Sequence, residues 1–460
     1  MRWTWPSPVP AAEPRHIWVA PVLALVVLLT YSGLWAGVFQ FDDYRVIVGN
    51  PVLQSWSAWW AQDTRDLLGI RPLLKLSYLL SATSAWGLSG FHALNLAVHL
   101  LCSVLVWAVS LEFLRQAGAP AWRVSAAMAS ALIFATHPVQ TEAVTYISGR
   151  SASLMALFYL AALWVYARQR SQGVNWRSQG LLGGLFLLAL ASKETAVTLP
   201  LALGVWELAL GERNTRCIWQ RQRLVWCLLA AVLLGFFSSA SYLAHMQRSW
   251  ALNSWLGNLA TQGVGLAYLL RQWCCPLWLN IDPDLPLLHS GWAALGVASA
   301  CIGLLFVLWK KCLKRPWILL GVLWFVLHLL PIYLLLPRLD VANERQLYLA
   351  AWPLGMLLAS EALRLLPQRL ALGLLLVLCG TLAWLTHQRN TLYHSEVALW
   401  QATARLSPNK ARVFNNLGYA LALEGRADEA RQAYQRALQL DPQHLKARYN
   451  LQRLQTEHGR

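Results

Sequence analysis

Charged side chains make up only 13% of this sequence, against 57% hydrophobic residues, so the places where they gather carry information. Two adjacent carboxylates, Asp42 and Asp43 in FDDYRVIVGNP, follow directly on an apolar run. A carboxylate at a lipid–water boundary can serve as a general base toward a hydroxyl or as a metal ligand; a solvated acidic pair marking a span end is the plainer alternative. His92, Asn95 and His99 in FHALNLAVH stand at i, i+3 and i+7, within an arc of roughly 60° on one helix face. The two histidines are about 10.5 Å apart along the axis, too far to share one metal. Interhelical hydrogen bonding or a wet cavity would suit that face. His137, Glu142 and Arg150 follow in THPVQTEAVTYISGR, Lys193 and Glu194 in SKET, and Asn343, Glu344 and Arg345 in ANERQLYL. His137 can simply satisfy a helix end, while Lys193–Glu194 and Glu344–Arg345 can each pair locally. Arg71 and Arg345 suit phosphate better, because a planar guanidinium grips its oxygens bidentately. Glu207 and Glu361 fall late in apolar runs, where exposure at the interface is expected.

The elements that must position these residues are apolar runs. Ile17 to Phe39 contains no charge, and about 20 apolar residues span a bilayer. Such a composition excludes an ordinary soluble protein, whose residues are about a quarter charged. The expected fold is all-α, a polytopic helical bundle of about 11 spans. After the first, these are Phe91 to Leu111, Trp122 to Thr136, Ser151 to Ala167, Leu181 to Ser192, Thr195 to Leu210 and Leu224 to Ala244. Gly291 to Trp309, Trp317 to Leu336, Leu347 to Ser360 and Leu370 to Thr386 complete the set. Pro72 to Leu88 and Leu256 to Leu279 read instead as amphipathic helices lying at the interface. The first run is too long for a signal-peptide core and lacks a small-residue cleavage pattern, so it is expected to stay as a span.

The net charge of +17 is spread between the apolar runs rather than gathered into a patch with interleaved aromatics, so no nucleic-acid partner is expected. The eight cysteines lack ligand-type spacing. Basic residues in short loops favour the cytoplasm, and the cluster KKCLKR (Lys310 to Arg315) is the strongest such signal. An N-terminus inside the cell accounts for it. Every acid, histidine and arginine group named above, Glu207 and Glu361 apart, then opens on the outer face.

From His394 onward the chain changes character and repeats with a period of 34, pairing Trp400 with Tyr434, Leu406 with Leu440, Pro408 with Pro442 and Leu417 with Leu451. That is the tetratricopeptide period. One complete repeat flanked by halves falls short of the roughly three needed for independent stability, so the tail is expected to pack against the membrane domain or a partner. The domains expected are 1–390, with an outer loop at 40–90 bearing the acidic pair, and 391–460 on the outer face.

The ordered set FDD, RPL, GFHALNLAVH, THPVQTEAVTYISGRSA, SKET, NERQLYL and HQRNTLYHSEVALW leading into the repeat resembles the transmembrane and tetratricopeptide-repeat protein family. These are O-mannosyltransferase-like enzymes of the GT-C glycosyltransferase class, with bacterial members. The resemblance implies a polyprenyl-phosphate-linked sugar donor, an acceptor hydroxyl on an exported protein and an active site in the first outer loop. It assigns catalysis to Asp42 and Asp43, with Asp42 as the base and a divalent metal at the pair compatible but not required. Arg71, Arg150, Lys193 and Arg345 become candidates to bind the lipid phosphate. His92, Asn95, His99, His137, Glu142, Glu194 and Glu344 would line the cavity. The implied location is the plasma (inner) membrane, with the repeats periplasmic. The alternative from another class is a non-enzymatic membrane-anchored scaffold that holds envelope proteins through its repeats.

Overall fold

The computed structural model describes residues 16–62, 71–238, 240–250, 254–288, 315–329 and 340–458, with a few scattered positions between 289 and 314. The expected span Gly291 to Trp309 lies almost wholly outside the described residues, as does the end of Trp317 to Leu336. Every extended element described is helical. In chain order these are α1 (Val19–Thr30), α2 (Trp56–Trp60), α3 (Pro72–Ala82), α4 (Leu88–Gln116), α5 (Arg123–Thr136), α6 (Thr141–Val144), α7 (Arg150–Gln172), α8 (Trp176–Ser192), α9 (Leu199–Ala209) and α10 (Thr215–Ser238). Then follow α11 (Ala240–Trp250), α12 (Trp255–Cys274), α13 (Pro316–Leu329), α14 (Leu347–Ala350), α15 (Trp352–Leu365) and α16 (Gln368–Leu392). The tail forms α17 (Glu396–Leu406), α18 (Ala411–Leu423), α19 (Ala427–Leu440) and α20 (Leu445–His458).

Among the described residues four segments, Leu88–Gln116, Ile147–Gln172, Thr215–Ser238 and Gln368–Leu392, are long and apolar enough to cross a membrane. α1, α5 and α13 are shorter apolar helices. The long helices expose large apolar side chains outward, such as Leu374, Leu376, Val377 and Trp384 on α16. In water such a surface would be a liability, whereas in lipid it is the natural exterior. The two stretches read as interfacial form α3 and α12, and the expected span at 347–360 is divided at Ala351 into α14 and α15.

Packing is helix on helix, with α4 against α5 and α7, α7 against α8, and α5 against α15 and α16. Because hydrocarbon supplies no hydrophobic drive between helices, polar side chains help fix their register. His99 Nδ1 meets the Tyr348 hydroxyl at 2.8 Å, and Trp324 donates to the Leu349 carbonyl at 2.9 Å. At the opposite end of the bundle the structure corrects one expectation. Glu207 is buried, accepting from Tyr166 at 2.6 Å, Arg170 at 2.9 Å and Arg221 at 2.7 Å, so it joins α7, α9 and α10 instead of facing solvent. Glu361 is the more open of the two and pairs with Arg364 and Trp317.

The tail folds as two antiparallel helix pairs whose shared core includes Trp400, Val413, Ala430 and Tyr434. Gly418 is dictated by contact, since a Cβ there would stand 2.7 Å from the Tyr434 ring. The repeat does not stand alone. Asp282, buried in the segment after α12, accepts from Lys410 Nζ at 2.5 Å and from both Nε and Nη2 of Arg412, and Arg412 also reaches Asp340. Ser407 accepts from Asn280 and donates to the Asp282 carbonyl, closing the same joint.

Candidate functional site

The first loop places the acidic pair in two different environments. Asp43 is fully buried: the Ser148 amide donates to Oδ1 at 2.8 Å, the Ser148 hydroxyl donates to the same oxygen, and the Gln40 amide donates to Oδ2 at 3.0 Å. Burial pushes its carboxyl up to about 7, against the pull of these three donors. With both oxygens occupied, Asp43 ties the first loop to the loop before α7. The close approach of Gly149 to the Glu142 carbonyl, where any Cβ would collide, gives that second loop its shape. Asp42 faces outward, its side chain 36% exposed with Arg45 3.7 Å away, while its amide donates to the Tyr146 hydroxyl at 3.2 Å.

Phe41, just before the pair, adopts φ +48°, a left-handed conformation that costs a non-glycine residue about 1–2 kcal/mol. The repeat domain holds it there. Its amide donates to Glu396 Oε1 at 2.9 Å, and its ring meets Trp400 edge-on at 5.4 Å. A residue in sparsely populated backbone space persists only when its surroundings over-determine it. Here those surroundings come from α17.

Beside this loop opens a cleft whose space, open mouth included, is about 520 Å³. Its walls come from the first loop (Gln40, Phe41), the 142–146 segment (Glu142, Tyr146) and the 340–345 segment (Asp340, Asn343, Arg345). Ile281, Asp282 and Tyr393 continue the wall, and the repeat domain closes it with Leu399, Trp400 and Arg412. Arg345 pairs with Glu142, its amide donating to Oε2 at 2.9 Å and its Nε lying 3.5 Å from Oε1. Glu344 is buried beneath, both its oxygens accepting from Arg389 Nη2 at 3.0 Å. Burial holds both glutamates above the ordinary carboxylate range, and the two guanidiniums only partly offset it. For Asp340, burial pushes the carboxyl up, and the Arg412 guanidinium overcomes it and holds the group below its ordinary range.

Of the residues named from sequence, Glu142, Asn343 and Arg345 line the cleft, and Asp42 stands beside it, close enough that its charge acts on Arg345. Arg150 does not reach it. Its Nε donates to Asn95 at 2.5 Å and its Nη groups to Ser77, Ser81 and Phe91, so its donors are consumed inside the bundle. Arg71 is spoken for as well, gripping Glu194 at 2.9 and 2.7 Å; against the upward push of burial it draws that carboxyl down to about 2. Glu194 therefore pairs with Arg71 across the fold. Lys193 is buried, and its charge acts on Glu142.

The remaining polar residues bind protein, not the cleft. Asn95 donates to the Val144 carbonyl, His99 lies between Tyr348 and the Ala135 carbonyl, and His92 faces the Gly37 carbonyl at 3.3 Å. His137 caps the turn after α5 through Val139 and stacks on Trp273. Among the described residues no cluster of three or more His, Cys, Asp or Glu could hold a metal ion. Sequence reasoning missed Asp282, Asp340, Arg389 and Arg412, for they join segments up to 248 residues apart. Nothing in their local spacing marks them.

Fold and site together define a helical membrane protein whose polar cleft, at one end of the bundle, is walled on one side by a tetratricopeptide repeat. Residues 411–444 match the tetratricopeptide repeat family model. Over 93% of its length the chain is 26% identical to "Protein O-mannosyl-transferase Tmtc3" of Drosophila melanogaster, covering 55% of that protein. It is 25% identical over 94% of its length to "Protein O-mannosyl-transferase TMTC1" of Homo sapiens, covering 56% of it, and 25% identical over 93% to the human TMTC4 counterpart, covering 67%. The chain thus spans about half the length of the first of these relatives. The resemblance to the transmembrane and tetratricopeptide-repeat O-mannosyltransferase family, first carried by short motifs, extends over nearly the whole chain. No solved structure matches it.

Proposed function

We propose that this protein is a membrane glycosyltransferase that moves a hexose from a polyprenyl-phosphate donor to an acceptor hydroxyl on an exported protein. Mannose is the sugar suggested by the relatives' names. The cleft would open on the outer face of the plasma (inner) membrane, with the N-terminus cytoplasmic and the repeat domain periplasmic. The observation that carries the reading is the division of labour in the acidic pair: Asp42 keeps a reachable carboxylate beside the cleft, whereas both oxygens of Asp43 are occupied.

In this mechanism Asp42 takes the proton of the acceptor hydroxyl as that oxygen attacks the anomeric carbon. The new glycosidic C–O bond forms with inversion, and the bond from the anomeric carbon to the phosphate oxygen breaks. Its electron pair leaves on the phosphate. Arg345, at the cleft wall, stabilises the departing charge, with Lys193 behind it. Asp43 acts through position, anchoring the loop that aims Asp42.

Replacing Asp42 by Asn removes the base and leaves the fold intact. Mass spectrometry of exported proteins from cells carrying Asp42→Asn should then show loss of the glycan mass increment, with the variant still present in the membrane at the wild-type level. Retained glycosylation would overturn the enzyme and favour a scaffold, whose activity would depend on 394–460 alone.

A further inference from the structure

At the end of the bundle away from the cleft, the fold collects arginines and leaves most of them without acids. The chain turns there between α7 and α8 and again between α9 and α10. Buried Glu207 and half-buried Glu212 form their ion pairs with Arg170 and Arg221, drawing α7, α9 and α10 together. Among the described residues Arg168, Arg177, Arg213, Arg216 and Arg223 have no acidic partner. Several of them stand beside indoles. The Arg168 guanidinium lies 5.9 Å from the Trp164 ring centroid and that of Arg177 5.3 Å from Trp176, contacts through the flat face that leave the N–H edge for other partners. On α10, Arg216, Trp219 and Arg223 are exposed at i, i+3 and i+7, one face of its first turns. Trp219 thus lies between two arginines about 10.5 Å apart along the axis. Further along the same helices the exposed side chains turn apolar, with Leu181, Leu187 and Leu188 on α8 and Leu234 and Phe237 on α10. The band of arginine and tryptophan therefore rims a lipid-facing surface, at the depth where headgroups lie and where tryptophan concentrates.

We propose that this rim, formed by the end of α7 and the starts of α8 and α10, is a binding site for the phosphate headgroups of anionic phospholipids. Charge fixes the sign of the partner, and the adjoining apolar faces fix its kind, since a soluble anion would make no use of them. A guanidinium grips phosphate oxygens through two parallel N–H groups. Each arginine near an anionic surface strengthens binding about fivefold. An orientation signal alone needs positive charge, but neither the indoles nor a preference among lipids. In the orientation proposed above, the site faces the cytoplasmic leaflet, across the membrane from the cleft. It does not depend on the glycosyltransferase reading, because the rim holds lipid whether the cleft belongs to an enzyme or to a scaffold.

The test is native mass spectrometry of the purified full-length protein in a neutral detergent, titrated with phosphatidylglycerol or with phosphatidylcholine of identical acyl chains. Phosphatidylglycerol should bind wild type at least about tenfold more tightly than phosphatidylcholine. The double variant Arg216→Gln/Arg223→Gln should bind phosphatidylglycerol roughly 25-fold more weakly, two factors of about five. Both positions are exposed and glutamine is a good helix former, so this variant should melt with wild type. Arg177→Gln, on another helix, should lose about fivefold by itself. Arg431→Gln/Arg436→Gln in the repeat domain removes the same charge far from the rim and should lose nothing. Equal binding of the two lipids, or undiminished phosphatidylglycerol binding in both rim variants, overturns the proposal. So does displacement of the lipid by an equal concentration of inorganic phosphate or of hexaglutamate, which would make the rim a site for soluble anions or for an acidic protein.

Discussion

Arg150 offers the sharpest test of the structure, because its residue type and motif suggest phosphate binding and its surroundings suggest something else. Its side chain is 0% exposed. It donates to Asn95 Oδ1, to the Ser77 and Phe91 carbonyls and to the Ser81 hydroxyl, and it lies 5.0 Å from the Tyr78 ring centroid. Replacing it by Ala removes several charge-assisted hydrogen bonds at about 1.5–3 kcal/mol each and orphans Asn95 Oδ1. The two carbonyls keep their helical partners, and relief of the buried guanidinium's desolvation returns several kcal/mol. The net loss is about 3 kcal/mol. Arg150→Lys keeps the charge and part of the bonding but not the fork, and should lose roughly half as much. Thermal unfolding of the purified protein, followed by intrinsic tryptophan fluorescence, should rank wild type, Lys and Ala in that order, each variant melting several degrees lower. A melting temperature unchanged in Arg150→Ala, together with weakened inhibition by a polyprenyl phosphate, would refute the structural role and restore the phosphate one.

Asp43 predicts a pH signature. Its buried carboxyl titrates at about 7, so across the window between its ordinary value near 4 and 7 the folded protein holds a proton that the unfolded chain has released. Its contribution to stability is therefore largest at low pH and declines as pH rises through that window, by up to about 1.4 kcal/mol per unit. Asp43→Asn should flatten this part of the stability–pH profile measured by thermal unfolding, and an unchanged slope would exclude Asp43 as its source. At the repeat joint, Arg412→Ala strips Asp282 and Asp340 of their shared partner and leaves Lys410 on Asp282. A loss of about 2 kcal/mol corresponds to roughly 30-fold more frequent opening, read as faster limited proteolysis near residues 392–395; an unchanged rate would mean the tail is held by its apolar contacts alone.

Much of this fold was legible because lipid imposes one-dimensional rules: an apolar run of sufficient length must be a helix, and a 34-residue period must be a repeat. The polar residues obeyed no comparable rule. Arg71, Arg150, Glu194 and His99 look functional in sequence because ionisable groups are rare there, yet each is satisfied by another protein group. Rarity marks cost, and in a bundle that must fix its register without a hydrophobic drive, positioning can justify that cost as readily as catalysis can. What separates the two uses is valence. Asp43 and Arg150 have spent theirs on the protein, whereas the Asp42 carboxylate, 3.7 Å from Arg45, stays partly exposed. That difference belongs to three-dimensional contacts between segments distant in sequence. It also explains why the short tail matters: Phe41 holds its left-handed turn against Glu396 and Trp400, so the loop that presents Asp42 is aimed by a domain that begins some 350 residues later.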